Sequence, residues 1–195
     1  MSSEQNEENV LHALENFYKL IKGAEWITSF LKTETFQLVQ FEMQMMGRKL
    51  KAIFHPFVQN YQVAHPGCCP LMMLSEDSLL DLYIRLEKKI KMEQFRPNIM
   101  LTSFSASEEA TWDEIFIGSM EINKILSCSR CIMLTVDPDT GIITRKEPLE
   151  TLKSYYLCDP LEQHIYRSSP LFGMYFSVEK IVRLKVGDPV YLITQ

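Results

Sequence analysis

The 195 residues (22.8 kDa) suit one domain, or one domain with an appended segment, since domains average about 150 residues. With 46% hydrophobic and 23% charged residues, the composition excludes a disordered or fibrous chain. Twenty Lys and Arg against twenty-five Asp and Glu give a net charge of −5, so no global basic field exists to hold nucleic acid. No apolar stretch approaches the roughly 18 residues of a transmembrane helix. Met1 to Asn9 is acidic and carries neither a basic leader nor an Arg-rich presequence. Five cysteines, an odd number that includes the adjacent pair Cys68 and Cys69, fit free thiols in a reducing compartment.

In chain order, Val10, Leu11, Leu14, Phe17, Leu20 and Ile21 recur at helical spacing. Gly23 then interrupts, and Trp26, Ile27, Phe30 and Leu31 resume the pattern in a second helix. Phe36 to Phe41 is short and apolar, as a strand would be. Met43 to Val63 holds the basic run Arg48, Lys49 and Lys51, and Pro56, Pro66 and Pro70 mark irregular backbone. Ser75 with Glu76 and Asp77 starts a helix through its hydroxyl cap and first-turn acids, and Leu79, Leu82, Leu86 and Ile90 form its buried stripe. That pattern predicts a helix over Ser78 to Lys91.

Beyond Arg96 the texture shifts to short strands: Asn98 to Ser103, a strand around Met120 to Asn123, Ile132 to Val136, Val182 to Val186 and Val190 to Ile193. Asp137-Pro-Asp-Thr-Gly141 joins two of them in a turn. Pro148 opens a helix that runs to Tyr156. Short strands at turn-separated intervals suggest a barrel.

Neither of the common glycine-rich nucleotide motifs occurs, and His12, His55, His65 and His164 lack the i, i+4 pairing of a helical zinc site. Cys128-Ser-Arg-Cys131 is the compact constellation. It offers half of a zinc knuckle without a second pair, or a redox pair without a strand-to-helix setting, because a strand is expected to follow Cys131. Burial of two modest apolar residues at a strand end is the stronger plain reading. Arg130, Arg145 and Lys146 either converge on Cys131 and favour its thiolate or pair with Asp137, Asp139 and Glu147 on a solvated rim.

Phe95-Arg-Pro-Asn98, Thr111-Trp-Asp-Glu114, Cys128-Ser-Arg-Cys131, Thr135-Val-Asp-Pro-Asp-Thr-Gly141, the run from Arg145 to Tyr155, Cys158-Asp-Pro160, Ser169 to Gly173 and Val186 to Tyr191 stand in an order that resembles the mitochondrial amidoxime-reducing component family, from about Ala24 to Gln195. That family carries a MOSC domain. The resemblance implies an α+β fold, a MOSC-type β-barrel preceded by helices. It divides the chain into a helical segment over 1–23 without resemblance, an α/β remnant over 24–94 and a MOSC core over 95–195, the domain itself starting as early as residue 50 or so.

The resemblance also implies function. The family reduces N-hydroxylated compounds, amidoximes and hydroxylamines, on a molybdenum cofactor (molybdopterin), with electrons from NADH through cytochrome b5 reductase and cytochrome b5. Cys131 matches the family's molybdenum ligand, and Arg96 and Asn98 match residues that hold the pterin. Gly67 departs from the acidic residue usual at its position. Full-length members are anchored in the mitochondrial outer membrane and begin with a β-rich segment that this chain lacks, so the expectation is a shortened, cytosolic chain. The alternatives are a cofactor-free interaction or regulatory fragment, or a sulfur carrier at Cys131. The helix from Ser78 to Lys91, through Lys88 and Lys89, and the Arg48, Lys49, Lys51 run either dock an acidic donor such as cytochrome b5 or form an ordinary solvated face.

Overall fold

The computed structural model describes residues 19–32, 34–39, 69–86, 90–180 and 182–193. The chain divides into two compact units, Met1–Met46 and Gly47–Gln195. In the first, residues 19–31 form one continuous helix, α1, that runs through Gly23 where the sequence predicted a break. A glycine inside a helix costs only about 1 kcal/mol against alanine. Here its missing Cβ also admits Leu38, whose Cδ1 would lie 2.5 Å from an added methyl.

Residues 36–39 form no strand; residues 40 and 41 lie outside the described residues. An extended segment needs a neighbouring backbone to ladder with, whereas this one lies back along its own helix. The Phe36 amide donates to Thr28 Oγ1 at 3.0 Å. Between helix and return segment lies an apolar groove of about 640 Å³, lined by Leu20, Ala24, Phe36 and Leu38 among others.

The second unit is built on six strands. These are β1 (Leu71–Ser75), β2 (Ile99–Leu101), β3 (Glu114–Ile117), β4 (Met120–Ser129), β5 (Leu171–Val178) and β6 (Val190–Leu192). They form one curled sheet, a half-barrel, in the order β2-β1-β5-β4-β3-β6. β1 and β2 pair in parallel and the other neighbours antiparallel. With α2 (Glu76–Arg85), α3 (Leu149–Tyr155) and the short α4 (Gln163–Tyr166), the unit is α+β, as expected.

α2 begins as the sequence predicts. Ser75 Oγ accepts from the Ser78 amide at 3.1 Å, and Glu76 and Asp77 sit in the first turn. It ends at Arg85, not near Lys91, because Leu86 is already extended. Strand spacing accounts for this: β1 rises about 17 Å over five residues and ten helical residues return about 15 Å. The chain is then back level with the start of β1 and must turn to enter β2 in parallel register. Leu86 and Ile90 still pack on the same core as Leu79 and Leu82, so the apolar stripe is used without the helix. Lys88 and Lys89, and Arg48, Lys49 and Lys51, lie outside the described residues.

Two further expected strands take other forms. Ile132–Thr135 is a turn of 3-10 helix, with Val136 making one antiparallel bridge to Ile143. Residues 182–185 follow no ladder, yet Val182 and Leu184 pack against the β3 and β4 core. A short apolar run fixes burial, not backbone form. The Asp137–Gly141 turn is made by its own side chain: Asp137 Oδ1 accepts from the amides of Asp139 and Thr140, both at 3.0 Å.

The two faces of the sheet carry separate cores. Leu74, Leu82, Phe95, Leu152 and Phe172 fill one, and Met73, Ile115, Ile122, Met174 and Phe176 fill the other. α2 is tied to the loop after β2 by a buried polar chain. Glu109 Oε1 accepts from Ser78 Oγ at 2.9 Å, the Ser107 amide donates to Ser78 Oγ at 2.8 Å, and Ser107 Oγ bonds the Tyr156 hydroxyl.

Replacing Ser75 by Ala removes both the cap and the 2.6 Å contact to Ser78 Oγ. Urea unfolding should show a loss of about 1–2 kcal/mol. Burial pushes the Tyr155 and Tyr156 hydroxyls up to about 12, helped by Asp81 beside Tyr155 and Glu109 beside Tyr156. The unfolded chain ionises near pH 10 while these groups hold their protons, so unfolding releases protons and stability falls as pH rises from about 10 to 12. Tyr156→Phe should flatten that fall in denaturation midpoints measured across this range.

Candidate site at the end of strand β4

Two register shifts decide where the end of β4 points. Between Lys124 and Leu126 the strand carries one extra residue against β5, and between Ser127 and Ser129 the extra residue is on β5. A bulge turns the following side chains to the other face. Ile122 therefore lies in one core and Cys128, six residues on, in the other. On β5, Phe172 is likewise separated from Met174 and Phe176.

Gly173 makes the second bulge possible. Its φ is +79°, and a Cβ there would sit 2.9 Å from the Met73 carbonyl and 3.2 Å from Arg130 Nη2.

The two cysteines of Cys128-Ser-Arg-Cys131 therefore have unlike settings. Cys128 is buried beside Leu74 and Phe172, and Cys131 is exposed in extended backbone just past the strand. Cys128 lies within β4, and a 3-10 turn follows Cys131 where a strand was expected. No group of three or more metal-ligating side chains occurs among the described residues.

Arg130 between them is buried, and its guanidinium turns inward. Nε donates to the Phe172 carbonyl and Nη1 to the Phe95 carbonyl, both at 2.8 Å. Arg145 is exposed, and Lys146 lines a different groove, of about 610 Å³, with Arg85, Lys91 and Thr151. Lys91 pairs there with Asp139. Of the two arrangements open to these cations, convergence on Cys131 is not the one made: Arg145 is exposed, Lys146 lines the other groove and the Arg130 guanidinium is taken up by carbonyls.

Arg96 and Asn98 approach from the segment before β2. Arg96 is exposed, with a left-handed φ of +54°. Asn98 extends the β1–β2 pairing by one residue: its amide donates to the Met72 carbonyl at 2.8 Å, and its Oδ1 accepts from the Met72 amide at 2.8 Å. The side-chain carbonyl is therefore committed to the fold, and Nδ2 is the half of the amide left to serve a ligand.

Cys131, Arg96 and Asn98 meet in one groove of about 540 Å³. Met72, Phe95 and Leu134 form its apolar wall, and Gln94 is fixed by donating to the Leu134 carbonyl at 3.0 Å. Sequence reasoning missed Tyr175 and Ser129, which also line it. A tyrosine within an apolar β5 run was the available signal, but its face depends on the bulge. His164 takes no part; its ring lies 2.9 Å from the Leu161 carbonyl, and the other three histidines fall outside the described residues.

Residues 54–191 match the MOSC domain family. The chain belongs to that family. It is 64% identical over 174 residues to mitochondrial amidoxime reducing component 2 of Bos taurus, covering 89% of this chain and 52% of the relative. Against the Homo sapiens component 2 the identity is 54%, over 98% of this chain and 59% of the relative. Against the Homo sapiens component 1 it is 52%, over 88% and 51%. The chain spans about half the length of the curated relatives it matches. No helix of this MOSC chain, among its described residues, is long and apolar enough to cross a membrane.

Gly173→Ala should destabilise the protein by more than the 1–3 kcal/mol of left-handed strain alone, since the Cβ also meets a backbone carbonyl. Chemical denaturation against an exposed glycine control, Gly141→Ala, checks this: Gly141 has the same sign of φ and nothing within 4 Å.

Proposed function

We propose that this chain forms part of a molybdenum-cofactor enzyme that reduces N-hydroxylated compounds, amidoximes and hydroxylamines, with Cys131 as the protein ligand to molybdenum and Arg96 and Asn98 holding the pterin. The supporting observation is the meeting of these three side chains, distant in sequence, in one groove of a chain whose relatives are named for amidoxime reduction. The donor set fits the cofactor. A bare ion would need three or four protein ligands, whereas a metal that arrives already ligated by an organic cofactor needs one, and the groove offers one exposed thiol.

The residues divide the work. Cys131, held in extended backbone past β4, presents its sulfur to the open groove. Arg96 offers a forked set of N–H donors to phosphate or pterin oxygen, and Asn98 offers Nδ2. Met72, Phe95 and Leu134 keep water from that side. When bound, the cofactor supplies the two-electron redox centre, and reduction of an N–OH group consumes two electrons and two protons and releases water.

Electrons come, in this reading, from NADH through cytochrome b5 reductase and cytochrome b5. Lys88 and Lys89 would meet an acidic face of the donor, an attraction that speeds encounter and fades as salt rises. Replacing both with Gln should slow reduction by cytochrome b5 several-fold at low salt and leave it unchanged at high salt; equal rates at low salt remove this docking surface.

The decisive measurement is molybdenum content after expression with a cofactor supply. Cys131→Ala should abolish metal retention and benzamidoxime reduction together, while Cys128→Ala keeps most of both. Metal-free wild-type protein would favour the cofactor-free alternative, and a reversed pattern between the two cysteines would reassign the ligand. The relatives are named mitochondrial, and a tagged chain followed by cell fractionation tests whether this one shares that compartment or is cytosolic.

A further inference from the structure

We infer that Arg130 is the positioning residue of this groove: its buried guanidinium clamps the Phe95 carbonyl and so holds Arg96 in the left-handed backbone from which it reaches the ligand. The inference rests on the reading above only where it concerns the cofactor.

Arg96 has φ of +54° and precedes Pro97. A side chain at positive φ is disfavoured, and a residue before proline is pushed towards extended backbone. The conformation must be held by its surroundings. The Phe95 ring is anchored, 1% exposed and 5.1 Å from the Phe172 ring, and the Arg96 amide donates to the Glu93 carbonyl at 3.2 Å.

The orientation of the Phe95–Arg96 peptide plane, about whose N–Cα bond φ of Arg96 turns, is fixed on its carbonyl side by Arg130 Nη1 at 2.8 Å. The same guanidinium donates through Nε to the Phe172 carbonyl at 2.8 Å and through Nη2 towards Met72 Sδ at 3.5 Å. One rigid fork therefore joins β5, β1 and the Arg96 segment. Its own amide donates to the Pro170 carbonyl at 2.8 Å, which fixes the backbone one residue before Cys131.

The choice of arginine is informative. Its partners are two carbonyls, a thioether sulfur and the Phe95 ring face at 5.5 Å, all neutral, and it is 9% exposed. Burying a cation among neutral groups is costly, and an apolar side chain of like volume avoids that cost. A lysine could reach one carbonyl but not both in a fixed plane. The fork, rather than the charge or the volume, is what the position supplies.

The test compares Arg130→Met and Arg130→Lys in the full chain. Hydrogen exchange should show the Arg96 and Asn98 amides losing protection about tenfold or more in both variants, with the Ile115 and Ile122 amides unchanged. Unchanged protection at 96 and 98, or full protection in Arg130→Lys, overturns the inference.

The second measurement is molybdenum content in Arg96→Ala, Arg130→Met and the double variant. If Arg130 acts through Arg96, the double variant retains as much metal as Arg96→Ala alone; losses that multiply show an independent structural role and overturn it. Should wild-type protein take up no molybdenum, the proposed function fails and the exchange result alone decides Arg130. If Arg130→Met does not fold, the same measurements on Arg130→Lys decide.

Discussion

The ladder between β4 and β5 carries two opposed bulges, and the contact that the second requires, Gly173 against the Met73 carbonyl, leaves no room for any side chain. Because side chains alternate along a strand, each inserted residue exchanges the faces of everything beyond it. The first shift takes β4 from the Ile122 core to the Cys128 core; the second sends Phe172 to the same side, and the Phe172 carbonyl accepts from Arg130 Nε. Without that pair of shifts, an unbroken alternation would leave Cys128, an even number of residues beyond Ile122, in the same core as Ile122. The groove and both cores share one origin.

Polar side chains in this unit, buried or part-buried, serve to join segments. Asn98 substitutes for a strand residue against Met72, Arg130 joins three backbone segments, and the Ser75, Ser78, Glu109, Ser107 chain ties α2 to the loop after β2. Each supplies donors or acceptors where the backbone ladder stops, because an unmet buried group costs more than the bond gains. The fold thus spends part of its candidate ligand set on itself. Asn98 keeps its amide nitrogen for a ligand, and Arg130 gives Nε and Nη1 to backbone carbonyls.

Apolar runs misled where capping and turn residues did not. Ile132 to Val136 and Val182 to Val186 read as strands and are buried or half-buried in part, but a strand also needs a partner edge, which a run of side chains does not encode. Local signals with their own geometry were legible: the Ser75 cap, the Asp137 turn, Pro148 ahead of α3 and the β6 run before the chain end. The end of α2 was not, because it is set by the length of β1 and the register of β2.

For the groove the division is similar. Motif order linked Cys131, Arg96 and Asn98 to one family by resemblance, while their spacing in sequence carries no sign that they share a cavity. The sequence by itself determined the α+β class, the caps and turns whose hydrogen bonds close within a few residues, and the family to which the motifs belong. Only the tertiary structure decided which cysteine is open, where Arg130 points, and that Tyr175 joins the groove. Those outcomes depend on register between strands some fifty residues apart in the chain, and register is a property of paired backbones that no local stretch contains.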